Sequence, residues 1–535
     1  MTDSHSHSRR RRLLERARRS EKSNPQLCLD SVETLMATAG PTQELLLLRA
    51  RSLQQLSRQV EASLVWKDVL ADAHDVNLEL EALRFYLVNF DYASMKRLLA
   101  SLQDRIPTQE DALVLCARAA QAVRQSSLAL DLCKRLVALC PSSPVHSCKL
   151  GSMYQSFGCM EEAQTAFARA LSIDRDFQPA WYFLAQLRKW EPGLNHIDEL
   201  RNCLERQQSM GYDTSPTEYA LAKELEDLGL YADSFKHLHS GSMQVRKRST
   251  YDVKQDIKLF RDLQDWYLKG SVADSTEVDD TVPIFILGMP RTGSTLSDRI
   301  LSSHSEVESV GELMCFRRAV EEVCGGQGEP DFFATFFESA SADIPFSEIG
   351  ARYLEMLSPL IDGRRYFIDK MPMNYVFVGL IAKALPAAKF IHTKRNSMDT
   401  CFSNYKQMFG EGYYGYSYDL KDLAQHYLLY RQLMAFWHEQ LPGRIIDLEY
   451  EKLVAEPERE VRALLEQLDL SWQPECLQFH RNTSAVNTAS VSQVRRPIYS
   501  ASVEKWRKFS DQLAPLQEAL STDRQYNVGA GQYDV

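Results

Sequence analysis

The run Ile284-Phe-Ile-Leu-Gly288-Met-Pro-Arg291-Thr292-Gly293-Ser294-Thr295 spaces its residues as an apolar stretch followed by G-x-x-x-x-G-S-T. A strand, a tight loop and a helix start in that order make an anion cradle. The N–H groups of Gly293, Ser294 and Thr295 stand at a helix N-terminus, where the backbone favours negative charge. The lysine with which a Walker loop reaches a β- or γ-phosphate is replaced by Ser294, and Arg291 brings positive charge from the other side of the loop. That exchange favours a ligand with a single 5′-phosphoryl group carrying one further anionic substituent. A degenerate kinase loop is the alternative, in which Asp369, ending Tyr366-Phe-Ile-Asp369, would hold a metal.

A second anion motif lies about a hundred residues on, in Lys389-Phe-Ile-His-Thr-Lys394-Arg395-Asn-Ser-Met-Asp399-xxx-Ser403. A strand there leaves directly into a capped helix, so the forked cation of Arg395 and the hydroxyl of Ser403 can meet at one point. Two such motifs suggest a ligand with two separated phosphate groups. Lys370 follows a buried strand directly, and strand ends of that kind are where open α/β sheets place ligands. Glu312, in Val310-Gly311-Glu312-Leu, stands after the loop helix, where a second strand would return beside the first and turn a carboxylate toward the reacting group.

The Pro-Arg291-Thr-Gly-Ser-Thr295 loop, the Arg395…Ser403 element and the closing segment resemble sulfotransferases that use 3′-phosphoadenosine 5′-phosphosulfate. The resemblance is strongest to the TPR-fused branch related to tyrosylprotein sulfotransferases, and it covers about residues 282 to 520. It implies that Arg291, Thr292, Gly293, Ser294 and Thr295 form the 5′-phosphosulfate loop and that Arg395 and Ser403 take the 3′-phosphate. By the same resemblance Glu312 is the catalytic base, Lys370 stabilises the transition state and Ser490 assists the sulfate. Arg495 and Arg496 belong to a lid over the nucleotide, Lys505 is a further phosphate contact, and Tyr450 lies near the nucleotide or packs at a strand end. No metal is implied, since side chains can carry the charge of the leaving nucleotide.

The resemblance further implies an acceptor hydroxyl, with a protein or peptide tyrosine preferred. A small-molecule or carbohydrate acceptor, or an inactive TPR interaction protein, stands as the alternative. Two positions depart from the family's pattern: Ser397 stands where a proline often follows the 3′-phosphate arginine, and Gln407 where tyrosylprotein sulfotransferases carry another arginine. The aromatic stretch Tyr413-Tyr414-Gly-Tyr416-Ser-Tyr418 reads either as the lining of an acceptor pocket or as a packed loop.

The elements that must position these residues are short apolar runs (Pro283 to Leu287, Tyr366 to Ile368, Lys389 to His392, Arg444 to Leu448) alternating with amphipathic stretches. That alternation predicts a parallel sheet with crossover helices, an α/β P-loop-like domain over 282–525. In front of it, Leu150-Gly151-xx-Tyr154-xxx-Gly158-xxxx-Ala163-xxx-Phe167-xx-Ala170 has the spacing of a tetratricopeptide repeat, with weaker copies on either side. These predict an α-helical TPR solenoid over 25–245 that recruits a protein acceptor. The expected remainder is a disordered basic leader (1–24), a connecting helix and acidic linker (246–281) and a tail (526–535).

The chain has 535 residues, 44% hydrophobic and 25% charged, enough for sizeable cores and incompatible with a wholly disordered or collagen-like protein. A net charge of −10 argues against a general nucleic-acid binder. No run approaches the roughly 20 apolar residues of a membrane helix, and no apolar segment follows the N-terminal arginines as a secretory signal requires. Eleven scattered cysteines without a CxxC pair read as reduced core thiols, hence a cytosolic protein.

Overall fold

The computed structural model describes residues 2–71, 75–270, 281–326, 332–339, 344–410, 414–482 and 484–521, except 487, 489 and 492. The chain forms two compact units. One holds Met1–Leu139 with Arg318–Pro330 and Leu354–Leu360; the other holds Cys140–Arg317, Asp331–Tyr353 and Ile361–Val535.

The first unit is helical. Successive helices such as Gln43–Gln55 and Gln59–Ala71, or Glu110–Ala122 and Ser126–Leu139, pair through buried apolar faces. The basic leader, expected to be disordered, is instead the helix Thr2–Ser20. Its residues Leu13, Leu14 and Ala17 share one face and pack against Cys28, Val32 and Leu35, while Arg9 to Arg12 point to solvent. The apolar spacing at 13, 14 and 17 outweighs the repulsion among the arginines.

The second unit joins further helices to a sheet. Pro144–Phe157 and Met160–Ile173 form a hairpin in which Gly151 lies against the Phe167 ring, where an added Cβ would stand 2.5 Å from a ring carbon. The left-handed Gly158 (φ 82°) ends the first of these helices. The stretch expected as a connecting helix and linker does contain the helix Val253–Lys269, which buries Phe260, Leu263 and Trp266, but the chain does not divide there. It divides between Leu139 and Cys140, so the later helices share a body with the sheet. The acidic linker 271–280 and the tail 526–535 lie outside the described residues.

The sheet has five parallel strands: β1 Val282–Leu287, β2 Val307–Gly311, β3 Tyr366–Lys370, β4 Lys389–Lys394 and β5 Ile445–Glu449, in the order β2-β3-β1-β4-β5. Burial on both faces explains why β1 and β3 read as continuous apolar runs. β2 was expected beside β1, yet it pairs with β3. Its half-exposed Glu308 and Ser309 suit an edge, whereas fully buried β3 suits the interior. One face carries Ile284, Ile286, Ile368 and Ile391 against Ile300 and Leu301 of the helix Ser294–Leu301. Among the described residues no helix is long and apolar enough to cross a membrane.

Because all strands run the same way, the loop after β1, Glu312 after β2, Lys370 at the end of β3, Arg395 after β4 and Tyr450 after β5 share the carboxyl end of the sheet. Tyr416 and Tyr418 are packed into the protein. Tyr416 is buried and stacks on His426 with ring centroids 3.7 Å apart, and Tyr418 donates to the Phe409 carbonyl. Tyr413 lies outside the described residues.

Candidate active site

The loop between β1 and the helix Ser294–Leu301 is held by close backbone approaches. Gly288 (φ 140°) lies so near β4 that a Cβ would stand 2.6 Å from the Thr393 carbonyl oxygen. Gly293 (φ 102°) caps the helix, and a Cβ there would stand 2.8 Å from the Tyr450 ring. Thr292 Oγ1 donates to the Met289 carbonyl at 2.7 Å and lies 2.7 Å from Thr393 Oγ1, clamping loop to strand. Asn404 Nδ2 donates to the Pro290 carbonyl at 2.7 Å, a brace that no motif in the sequence announced. Ser294 and Thr295 begin the helix, and Thr295 Oγ1 donates to Thr488 Oγ1 at 3.3 Å.

Arg291 stands in the left-handed region (φ 69°) at the centre of the cluster. Its guanidinium donates to Ser490 Oγ, to Ser403 Oγ at 3.3 Å and to Gln493 Oε1 at 3.5 Å. The expected meeting of Arg395 with Ser403 is therefore changed: Ser403 bonds Arg291, while Arg395 donates to the Arg291 carbonyl at 3.1 Å and to the Ser502 carbonyl at 2.6 Å. Arg395 also lies over the Tyr450 ring, 4.8 Å from its centroid, and the Tyr450 hydroxyl lies 2.6 Å from Ser502 Oγ. Among the described residues, buried Arg395 Nε has no hydrogen-bond partner. Burial, and after it the like charge of Arg395, lowers the pKa of Arg291 below the usual arginine value. Two crowded cations with a buried unpaired donor form a site that an anion would relieve.

Lys370 and Glu312 meet across the ends of β3 and β2, Nζ to Oε1. Lys370 is 1% exposed and Glu312 is 37% exposed, so the pair joins a buried ammonium to a carboxylate open to an incoming molecule. Asp369 faces the other way, as alternation along a strand requires. It accepts from the Tyr353 hydroxyl at 2.9 Å and from Asn374 Nδ2 at 3.2 Å, and burial pushes its carboxyl up to about 7. It does not turn toward the loop as the kinase reading required.

The closing segment only partly matches its expected role. Arg495 does not enter the cluster. It donates to the carbonyls of Ser156, Asn482 and Ser484, tying the segment to the hairpin at Gly158. Arg496 is exposed. Lys505 pairs with Glu226 of the helix Ser215–Asp227 at 2.6 Å, and Lys406 reaches the same carboxylate at 3.1 Å. Burial works against the charge on Glu226, but the two ammoniums outweigh it and hold its pKa at about 2. Asp399, 2% exposed, accepts from the backbone N–H groups of Glu504 at 2.7 Å and Trp506 at 3.2 Å. Gln407, at the departure from the arginine pattern, donates to the Tyr182 hydroxyl at 2.7 Å. Long-range partners such as Glu226 and Tyr182 left no local signal in the sequence.

Residues 283–474 match the model of the sulfotransferase family. An uncharacterized protein of Aquifex aeolicus is 34% identical over 319 residues, covering 56% of this chain and 41% of that protein. Protein-tyrosine sulfotransferase 1 of Danio rerio is 24% identical over 243 residues, covering 42% of this chain and 65% of its own length. The chain thus spans less than two thirds of either relative. The sulfotransferase domain of a Synechococcus olefin synthase covers 49% of this chain and all of its own at 17% identity, with a TM-score of 0.35, too slight a likeness to argue from. The loop geometry and the family match together make residues 283–474 similar to the sulfotransferase family, with protein-tyrosine sulfotransferases among the relatives.

Proposed function

We propose that the protein transfers the sulfuryl group of 3′-phosphoadenosine 5′-phosphosulfate to an acceptor hydroxyl, with a protein or peptide tyrosine as the preferred acceptor. The observation that carries this reading is the joining of Glu312 to Lys370 at the strand ends beside the anion loop. The residues present fit a donor with two separated phosphate groups. Gly293 to Thr295 and Arg291 would hold its 5′ end, and Arg395, with its buried unpaired Nε, the 3′-phosphate.

In the transfer, an acceptor O–S bond forms as the S–O bond to the 5′-phosphate breaks. Glu312 removes the acceptor proton. Lys370 stabilises the negative charge that grows on the bridging oxygen, and Arg291 with Ser490 steadies the sulfuryl oxygens. Ser403, bonded to Arg291, steadies that arginine at the 5′ end. The helix pairs over 25–245 read as tetratricopeptide repeats that recruit the acceptor protein; the seating of Gly151 against Phe167 supports that reading. Eleven scattered cysteines without a CxxC pair support a reducing compartment such as the cytosol.

Thermal shift with three ligands tests the reading. 3′-phosphoadenosine 5′-phosphate should stabilise the chain without metal, by about 2.7 kcal/mol at 100 times its Kd. AMP should do much less, and Arg395→Ala should erase the difference. Equal shifts from both nucleotides, or stabilisation by magnesium-ATP alone, would overturn the assignment.

A further inference from the structure

The reacting cluster uses neither His392 nor Asp447, although both are held firmly a few residues away. His392 lies on β4, Asp447 beside it on β5 and His438 near the end of the helix Leu420–Gln440. His392 Nδ1 stands 2.7 Å from Asp447 Oδ1, and His438 Nε2 stands 3.1 Å from the same oxygen. All three ligand atoms lie within 4.8 Å of one another. We propose that His392, His438 and Asp447 form a binding site for a divalent transition-metal ion, zinc above all, on the far side of β4 from the anion loop.

Several features support a metal rather than hydrogen bonding alone. Two imidazoles and a carboxylate are donors suited to zinc, and three protein ligands leave a fourth position for water. Tetrahedral bonds of about 2.0–2.1 Å separate neighbouring ligand atoms by roughly 3.3 Å. The two edges to Asp447 Oδ1, 2.7 and 3.1 Å, are close to that, and the two histidine nitrogens lie within 4.8 Å of each other, a gap that an ion would close by turning the exposed His438 ring.

An outer shell is already present. His392 Nε2 is paired with the Tyr430 hydroxyl, which leaves Nδ1 to face the ion, and Asp447 Oδ2 accepts from Lys394 at 3.1 Å. That pairing fixes the ring orientation in the way metal-bound histidines are commonly fixed. Entry is open, because His438 is 37% exposed and Asp447 35%. Among the described residues, Lys394 is the one cation bonded to the cluster, and it meets the carboxylate through the oxygen the ion would not use.

The test is zinc titration of the untagged full chain, stripped with a chelator, in competition with a chromophoric chelator. The chain should bind one zinc at this site. His438→Ala removes an exposed ligand, so it should fold and lose more than the roughly 10–100-fold that loss of an outer-shell partner costs. Asp447→Asn should weaken binding as well. Cobalt should give the visible absorption of a tetrahedral ion in the parent chain and lose it in His438→Ala. Because His5 and His7 could also take up zinc, the comparison with His438→Ala isolates this site. Equal zinc affinity in parent and His438→Ala, or equal binding of magnesium and zinc, would overturn the proposal.

Discussion

Glu312 and Lys370 are bonded to each other, yet their proposed tasks differ, and a series of acceptors can separate them. Glu312→Gln should leave nucleotide affinity nearly intact and lower turnover by about 10²–10⁴-fold, the usual worth of a positioned base. Lys370→Ala should also lower turnover, because it removes a cation needed most as charge builds on the leaving oxygen. Phenols of falling pKa need the base less, so they should rescue Glu312→Gln far better than Lys370→Ala. Parallel responses of the two variants would move the base elsewhere. At this scale the sequence was informative wherever a residue sits beside its own motif: Arg291 and Gly293 follow a strand in the chain, and Lys370 ends one. Arg495 and Lys505 were misplaced for a physical reason. Their charges are met by the Ser156 carbonyl and the Glu226 carboxylate, hundreds of residues away in sequence, and no local pattern encodes such a partner.

Strands whose carboxyl ends gather in one place explain why motifs from five separate stretches converge. Four of those strands were legible as apolar runs between Gly or Pro residues. The edge position of β2 was not, since its Glu308 and Ser309 break the apolar run that would mark it. The closing segment depends on one buried acid. Asp399 fixes two backbone N–H groups of the turn that carries Lys505, where Glu504 adopts φ 55°. Each donor left buried without a partner costs about 1–3 kcal/mol. Asp399→Ala should therefore speed amide exchange over residues 500–509 while β1 and β3 stay protected, and the nucleotide-induced stabilisation should shrink. Faster exchange spread evenly over the sheet would show instead that Asp399 supports the whole unit.

Within the larger unit, Glu226 of the helix Ser215–Asp227 pairs with both Lys406 and Lys505. Glu226→Gln would leave Lys406 and Lys505 without their shared counter-charge; with those lysines 22% and 39% exposed, the cost falls below the roughly 3–5 kcal/mol of a fully buried pair. The pH dependence has a definite sign. The folded carboxyl, at about 2, lies below the ordinary glutamate value, so its contribution is present above that ordinary value and is lost as pH falls toward 2. Acid unfolding should therefore be steeper in the parent than in Glu226→Gln, with the two curves converging at low pH. Matching slopes would remove Glu226 from the stability of this unit. The division of the chain between Leu139 and Cys140 bears on how such a domain can be inherited or transplanted. A graft cut at the first strand would leave behind the acid that seats Lys505 and the carbonyl that seats Arg495. To keep those contacts, a transplanted sheet must travel with the helices from Cys140 onward.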